Sequence, residues 1–359
     1  MSEGGATGVL AAMKGQWASM TGMAFMFVST ILIGLSVQPI YNIPEARAFG
    51  EEGASKGAFV ALELAMIGIF TIVIIWLARR GLDFFIKAIV LFALWMSLFY
   101  AVQPYVALIL YFLGLDTVYV VVLLSILISS GSIYLLHIFP EWYVVNGVGI
   151  MVGAGVITLI GVSFVPVLII GFMIAAAIYD YWAVNGSKHM LELADTMIDL
   201  KLPVLLVAPK NADYSFIEED DSVMRDKEIE VTKMDWNDPV PHIKKEGGPT
   251  KGRDALFMGL GDVIFPGMLV ISSVSFLPQT GGEVTYFSAF GVMYADSLTV
   301  AMGTLFGGLL GYFALMTQVA RGKPQAGLPL LNGGSILGYL VSGYFALGIG
   351  NLWQDITFF

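Results

Sequence analysis

Residues 164–182 have the sequence FVPVLIIGFMIAAAIYDYW, an apolar run with one carboxylate, Asp180, near its end. A second apolar run, residues 255–277, has the sequence ALFMGLGDVIFPGMLVISSVSFL, with one carboxylate, Asp262, near its start. A helix needs about 20 apolar residues to cross the hydrocarbon core of a bilayer, so each run predicts a membrane-spanning helix. A carboxylate in such a helix costs several kcal/mol, which makes both residues candidate functional groups.

The composition of the whole chain is that of a membrane protein. Of its 359 residues, 57% are hydrophobic and 13% are charged, and the mean hydropathy is +0.80. A soluble domain has about a quarter of its residues charged, so a soluble enzyme is excluded. Nucleic-acid binding is excluded too, because there is no basic patch. The chain lacks cysteine, which rules out a disulfide framework or a cysteine nucleophile.

Long apolar runs separated by short polar breaks predict an all-α membrane protein, a polytopic bundle of nine transmembrane helices. Lipid tolerates only segments that satisfy their own backbone hydrogen bonds. The third span is long and contains Pro104, and we interpret it as one bent or tilted span, with a span plus an interfacial helix as the alternative. The predicted spans are residues 19–40, 57–78, 84–113, 117–139, 144–162, 164–186, 255–275, 287–317 and 329–352.

The basic residues predict the orientation of this bundle. Only Arg47 and Lys56 fall on one side of the membrane, and the other sixteen Lys and Arg residues fall on the opposite side. By the positive-inside rule, the side rich in basic residues is the cytoplasm. We therefore expect a multi-pass cell-membrane protein with the N-terminus and the 187–254 loop in the cytoplasm and the C-terminus outside.

The chain divides into three predicted parts. Residues 1–186 form a six-helix membrane part, and residues 255–359 form a three-helix membrane part. Between them, the loop of residues 187–254 is expected to contain an interfacial helix at 188–200 and a β-prone run at 202–209 bounded by prolines. After about residue 216 the loop is acidic, with twelve Asp and Glu against seven Lys and Arg in residues 213–254, and it is typical of a flexible linker.

Four carboxylates fall in predicted spans, and two of them form a matched pair. Asp180 lies roughly 9 Å, and Asp262 roughly 10 Å, from the cytoplasmic ends of their predicted spans. Glu63 and Asp296 lie near the outer ends of spans two and eight, where we interpret them as partly solvated flank residues. No Lys or Arg lies in the spans around Asp180 and Asp262 to neutralise them.

Two carboxylates brought close together in a low dielectric cannot both ionise readily, so one of them keeps its proton. An aspartic protease needs this condition, because the ionised carboxylate takes a proton from the attacking water while the protonated one stabilises the peptide carbonyl oxygen.

The sequence around these residues resembles a known family. The segments are Tyr179-Asp180 in span six, Gly259-Leu260-Gly261-Asp262 in span seven, and Gly327-Leu328-Pro329-Leu330-Leu331 at the start of span nine. Together they resemble the presenilin and signal peptide peptidase family of intramembrane aspartyl proteases, and most of all its archaeal presenilin homologues. The resemblance covers nearly the whole chain in span count.

The resemblance implies that Asp180 and Asp262 are catalytic and that the glycines and the Pro329–Leu331 segment shape the site. It implies cleavage of transmembrane helices or signal-peptide remnants in the bilayer, without a cofactor or a metal and without accessory subunits; self-association stays open. Two features depart from the family. Leu330 stands where the family has alanine, and residues 263–267 look like signal peptide peptidase, whereas the predicted cytoplasmic N-terminus agrees with presenilin.

A helical substrate must be unwound before it can be cut, and its freed backbone groups then need new partners. The β-prone residues Val204, Leu205, Leu206 and Val207 are expected to take an extended substrate as an added strand. The backbone of Gly327 to Leu331 is expected to flank the other edge of the substrate.

Two other classes of function compete with the protease. A secondary transporter or ion pathway would use Asp180 and Asp262 to bind a proton or cation at a glycine-rich, broken helix. A structural or chaperone-like membrane protein is the third alternative, although it does not account for the matched depths of the two carboxylates.

Overall fold

The computed structural model describes residues 6–115, 117–183, 205–211, 214–215, 255–285, 290–319 and 326–357. Within these ranges there are nine helices of 17 residues or more, and each overlaps one predicted span, so the predicted helical bundle is confirmed. The helices are α1 (Ala6–Tyr41), α2 (Gly57–Arg79), α3 (Asp83–Phe112), α4 (Val118–Ile138), α5 (Trp142–Gly161), α6 (Pro166–Trp182), α7 (Leu260–Phe276), α8 (Ala295–Val319) and α9 (Leu328–Ala346).

Six of these helices, α1 to α5 and α8, are long and apolar enough to cross a membrane. The two helices that carry Asp180 and Asp262, α6 and α7, have only 17 residues each. At 1.5 Å per residue they are about 26 Å long, which is slightly less than the hydrocarbon core of a bilayer. Helix α3 continues through Pro104 as one helix, as we interpreted the third span.

Helices α1, α5 and α7 form the centre of the bundle because small residues let them approach closely. On α5, a Cβ added to Gly153 would lie 2.8 Å from Thr30 Cγ2 of α1, and one added to Gly161 would press on Ile271 of α7. Thr158 ties α5 to α1 by donating a hydrogen bond to the Gly34 carbonyl oxygen at 3.0 Å. Helices α2 and α4 are peripheral, with most of their apolar surface exposed.

Helices α8 and α9 pack through two facing rows of small residues. Gly303, Gly307 and Gly311 form the row on α8, as the sequence spacing predicts. A Cβ on Gly307 would overlap the Gly334 carbonyl oxygen, and one on Gly311 would overlap the Leu330 carbonyl oxygen. This backbone contact fixes the start of α9 relative to the rest of the bundle.

Two short antiparallel sheets complete the described fold. Strand β1 (Leu205–Pro209) pairs with β2 (Ala255–Gly259), with Val207 opposite Phe257. Strand β3 (Glu283–Val284) pairs with β4 (Met293–Tyr294).

These strands correct two predicted boundaries. Span seven was expected to be helical from residue 255, but residues 255–259 pair with β1, and α7 begins only at Leu260. Span eight was expected to begin at residue 287, but residues 293–294 form β4, and α8 begins at Ala295. A third correction is that α9 ends at Ala346, short of the expected residue 352, where a turn with Gly348 at φ 78° follows.

Several predictions fall outside the described residues. These are the interfacial helix at 188–200, Val204, and the acidic linker after residue 216. Of the two flank carboxylates, Glu63 on α2 is partly buried. Asp296 is in the first turn of α8, where it accepts a hydrogen bond of 2.7 Å from the Thr280 hydroxyl.

Candidate active site

Asp180 lies in the last turn of α6, two residues before that helix ends at Trp182. Its side chain is buried, with 6% of its surface exposed. The backbone N–H of Leu328, the first residue of α9, donates a hydrogen bond of 3.2 Å to its Oδ2 atom. A backbone donor therefore holds this carboxylate at the junction of α6 and α9.

Asp262 lies in the first turn of α7 and is partly exposed. Gly259 is the N-cap residue of this helix, and its backbone N–H interacts with the Asp262 carboxylate, as in the acidic half of a capping box. Pro266, one turn later, has no N–H, so the Asp262 carbonyl oxygen lacks its usual partner within the helix. The start of α7 therefore has less intrahelical bonding than an ordinary first turn.

The predicted depth of the two carboxylates needs a correction. Each was expected roughly 10 Å inside its helix, but Asp180 and Asp262 each lie two residues from a helix end, which is about 3 Å of rise. For Asp262 the reason is that strand β2 replaces the first turns expected of span seven. For Asp180 the reason is that α6 ends at Trp182, before the expected residue 186. The two depths still match each other, and the two carboxylates are close enough to interact electrostatically.

Gly327, just before α9, contacts the site that Asp180 of α6 and Asp262 of α7 form. A Cβ added to Gly327 would lie 3.0 Å from Asp262 Oδ2 and 3.2 Å from Asp262 Oδ1. The next residue, Leu328, binds Asp180 through its N–H. The Gly327–Leu328 backbone therefore touches both carboxylates, and a side chain at position 327 would crowd the carboxylate of Asp262.

A side chain of α9 fixes the position of α9 relative to α6. Asn332 is fully buried and donates a hydrogen bond of 2.9 Å to the Met173 carbonyl oxygen on α6. With the Leu328–Asp180 bond, α9 is thus tied to α6 at two points four residues apart. Asn332 could not be recognised as a site residue from the sequence, because the sequence does not show which group a helical amide will bind.

A cavity of about 100 Å³ lies beside Asp262 and Gly327. This volume is enough for several water molecules. Its other walls are apolar and come from α1, β2 and α8, through Met23, Leu256, Phe257, Met258, Leu315, Met316 and Val319. A carboxylate that faces a small, mostly apolar cavity is suited to activating a water molecule.

The two-stranded sheet lies next to these groups because β2 leads directly into α7. One edge of β1 pairs with β2, and the other edge is occupied by side chains. Asn146 of α5 binds both backbone groups of Val207, and the Ser19 hydroxyl of α1 donates to the Pro209 carbonyl oxygen at 2.7 Å. The sequence predicted a β-prone segment here, but neither the partner strand β2 nor these two anchors.

The structure brings only some of the predicted site residues together. Asp180, Asp262, Gly259, Gly327 and Leu328 meet at the site. The other predicted residues lie around it. Tyr179 is 43% exposed and contacts Trp182, and Gly261 is exposed. Leu260 and Leu331 are buried in the apolar core, and Pro329 and Leu330 are partly buried in the first turn of α9.

The described residues contain no group of three or more His, Asp or Glu side chains that could hold a metal ion. The groups that the site offers for chemistry are its two carboxylates, the backbone donors around them and the adjoining cavity.

Comparisons with known proteins show the family of the chain. The family model of signal-peptide peptidase and presenilin aspartyl protease matches residues 23–349, a range that contains both carboxylates. The chain belongs to this family of intramembrane aspartyl proteases. No curated protein sequence matches the chain.

Two solved structures of a presenilin-family intramembrane aspartate protease are similar to this chain. The one in the C222 crystal form is 25% identical, with a TM-score of 0.57, over 92% of this chain and 99% of that one. The one in the P2 crystal form is 26% identical, with a TM-score of 0.55, over 90% and 97% of the two chains. The likeness therefore extends over nearly the whole bundle.

Proposed function

We propose that Asp180 and Asp262 are the catalytic pair with which this intramembrane aspartyl protease hydrolyses peptide bonds in or near transmembrane helices. The observation that carries the proposal is the Gly327–Leu328 backbone, which contacts both carboxylates at the meeting point of α6, α7 and α9. Three helix ends from distant parts of the chain converge there on two carboxylates, one of which, Asp262, lines a small cavity.

The pair acts with one proton shared between its two members. The ionised carboxylate takes a proton from a water molecule as the water oxygen attacks the peptide carbonyl carbon. The protonated carboxyl donates a hydrogen bond to the carbonyl oxygen and stabilises the charge that develops there. Collapse of the tetrahedral intermediate breaks the C–N bond, and the amine leaves with a proton from the pair.

An extended substrate segment binds by joining the two-stranded sheet. The sequence suggested that the segment would lie beside β1, but both edges of β1 are occupied, one by β2 and the other by Asn146 and Ser19. Of the two strands, we therefore assign the substrate to β2. This position is next to Asp262, because β2 ends at the N-cap of α7.

A backbone-modified substrate tests this assignment. In a single-span peptide, amides near the scissile bond are replaced by esters one at a time, which removes one N–H donor each time. Because alternate residues of a strand face its neighbour, we expect cleavage to be lost at every second position. Equal losses at all positions would contradict strand pairing.

The protease is favoured over a secondary transporter by the family match and by the arrangement of backbone donors around the two carboxylates. We infer that the chain acts in the bilayer without accessory subunits and without a metal. The test is to purify the chain alone in detergent and add a transmembrane peptide and EDTA. Cleavage under these conditions supports the proposal, and its absence, or rescue of activity by zinc, opposes it.

A further inference from the structure

Asn146 on α5 is a buried amide, only 5% exposed, that binds one residue of β1 through both of its polar atoms. The Val207 N–H donates to Asn146 Oδ1 at 2.8 Å, and Asn146 Nδ2 donates to the Val207 carbonyl oxygen at 2.7 Å. A side-chain amide has one donor group and one acceptor, as a backbone residue does. Asn146 therefore takes the two hydrogen bonds that a residue of a neighbouring strand would take.

This geometry determines which residues join β1 to β2. Both backbone groups of Val207 point to Asn146, so they point away from β2. In an antiparallel pair, residues alternate between hydrogen-bonded and non-bonded positions. The pairs Leu206–Met258 and Ala208–Leu256 are therefore the ones that hold the two strands together.

The second anchor follows the same alternation. Ser19 of α1 donates to the carbonyl oxygen of Pro209, two residues after Val207 and on the same edge of β1. Two helices of the bundle thus cover one edge of a sheet that has two strands within the described part of the chain. An isolated two-stranded sheet is marginally stable, so contacts from outside the sheet add to its stability.

We infer that Asn146 is a positioning residue that keeps β1 and β2 paired before the substrate arrives. The inference rests on the proposed function, in which the substrate joins this sheet beside β2. With the sheet already assembled, binding orders only the substrate and not the enzyme strands as well. Asn146 does not touch the reacting atoms and acts through β1 and β2.

The first measurement is backbone hydrogen exchange in the substrate-free enzyme. In the wild type, we expect the amides of Leu206, Ala208, Leu256 and Met258 to be protected. Asn146→Leu keeps the side-chain size but loses both hydrogen bonds, and exchange at these amides should become about tenfold faster or more. The Val207 amide is uninformative because it loses its own partner.

The matched control is Thr158→Val on the same helix. This change also removes a buried hydrogen bond between α5 and another element, the bond from Thr158 to the Gly34 carbonyl oxygen of α1. Thr158 lies about three helical turns away from Asn146 and the sheet. We expect it to leave exchange in β1 and β2 unchanged. Faster exchange in this control to the same extent would mean that any loosening of α5 disturbs the sheet, and would overturn a specific role for Asn146.

The second measurement separates positioning from general stability. For a helical transmembrane substrate, Asn146→Leu should raise KM about tenfold and change kcat much less, because bound substrate restores the pairing of the strands. Equal loss of kcat and kcat/KM would overturn the inference. If Asn146→Leu does not fold, the wild-type exchange still decides: unprotected amides in the substrate-free enzyme would contradict a preassembled sheet.

Failure of this inference is distinguishable from failure of the proposed function. The exchange experiment needs no activity and tests only the assembly of the sheet. Suppose that activity depends on Asp180 and Asp262, but that Asn146→Leu has the kinetics and the hydrogen exchange of the wild type. This result would overturn the role of Asn146 and leave the catalytic pair intact.

Discussion

Gly327 is the residue on which the geometry of the site depends most directly. Its φ of −79° is ordinary for any residue, so glycine is not required there by backbone conformation. Space favours glycine instead, since a Cβ would lie within 3.2 Å of both oxygens of Asp262. The sequence suggested a site-shaping role for this segment, but the contact partner could be identified only once α7 and α9 were placed together.

Gly327→Ala should reduce kcat by about tenfold or more without unfolding the protein, because the added methyl group displaces the Asp262 carboxylate from its position. The measurement is cleavage of a transmembrane peptide alongside thermal unfolding. Gly333→Ala is the control, since a Cβ at Gly333 on the same helix meets nothing within 4 Å. Unchanged kcat in Gly327→Ala would mean that the close approach to Asp262 has no catalytic importance.

The shared proton of the catalytic pair predicts a bell-shaped pH profile. Acid protonates the carboxylate that must accept a proton from water, and base removes the proton that stabilises the carbonyl oxygen. Activity should therefore fall at both ends of a range from about pH 4 to about pH 9. The measurement is kcat/KM in a buffer series in which the protein stays folded, and a flat profile would argue against a pair.

The facing glycine rows of α8 and α9 fix the position of α9, and through it the geometry of the site. At Gly307 and Gly311 the rows bring backbone against backbone, so a larger residue at either position would meet no flexible side chain that could move aside. The carbonyl oxygen of Leu330, which packs on Gly311, belongs to the first turn of α9, only three residues after Gly327. A displacement of α9 is therefore transmitted to both carboxylates.

Gly307→Ala should destabilise the protein by about 1–3 kcal/mol and lower its activity, because the new Cβ would overlap the Gly334 carbonyl oxygen. Thermal unfolding and peptide cleavage measure the two effects. Gly171→Ala on α6 provides the comparison, since its Cβ would meet nothing within 4 Å. If both variants unfold at the wild-type temperature, the close packing of α8 on α9 contributes little to stability.

The nine helices were predictable because an apolar segment in lipid must satisfy its own backbone groups, and this constraint is local. The pairing of β2 with β1 was not predictable in this way. Residues 255–259, ALFMG, are as apolar as the start of a helix, and their partner lies across the loop. The Asn146 and Ser19 anchors were missed for the same reason, since both act on a segment far away in the chain.

For the whole molecule, the similarity to a presenilin-family protease extends over 92% of the chain at only 25% identity. Such a likeness implies that the pattern of apolar spans and small residues specifies the bundle and that most individual side chains do not. The two carboxylates differ from these side chains, because the site that they form requires three helix ends to meet. The site therefore depends on the assembly of the whole bundle.

The orientation proposed for the bundle has its own test. A protease-cleavable tag inserted after Lys245 should be cut in inverted vesicles that expose the cytoplasmic face, because the basic residues favour a cytoplasmic 187–254 loop. A tag at the C-terminus should be protected in the same vesicles. The opposite pattern would reverse the topology and put Asp180 and Asp262 at the outer side of the membrane.

The most direct test of the catalytic pair is cleavage by purified Asp180→Asn and Asp262→Asn variants. Each change keeps the size of the side chain and removes one member of the acid–base pair, so each should lower kcat/KM by about 10³-fold or more while the variants unfold at nearly the wild-type temperature. Asp296→Asn, which changes a carboxylate on α8 outside the pair, should cleave normally. Near-normal cleavage by either Asp180→Asn or Asp262→Asn would contradict the assignment of the catalytic pair.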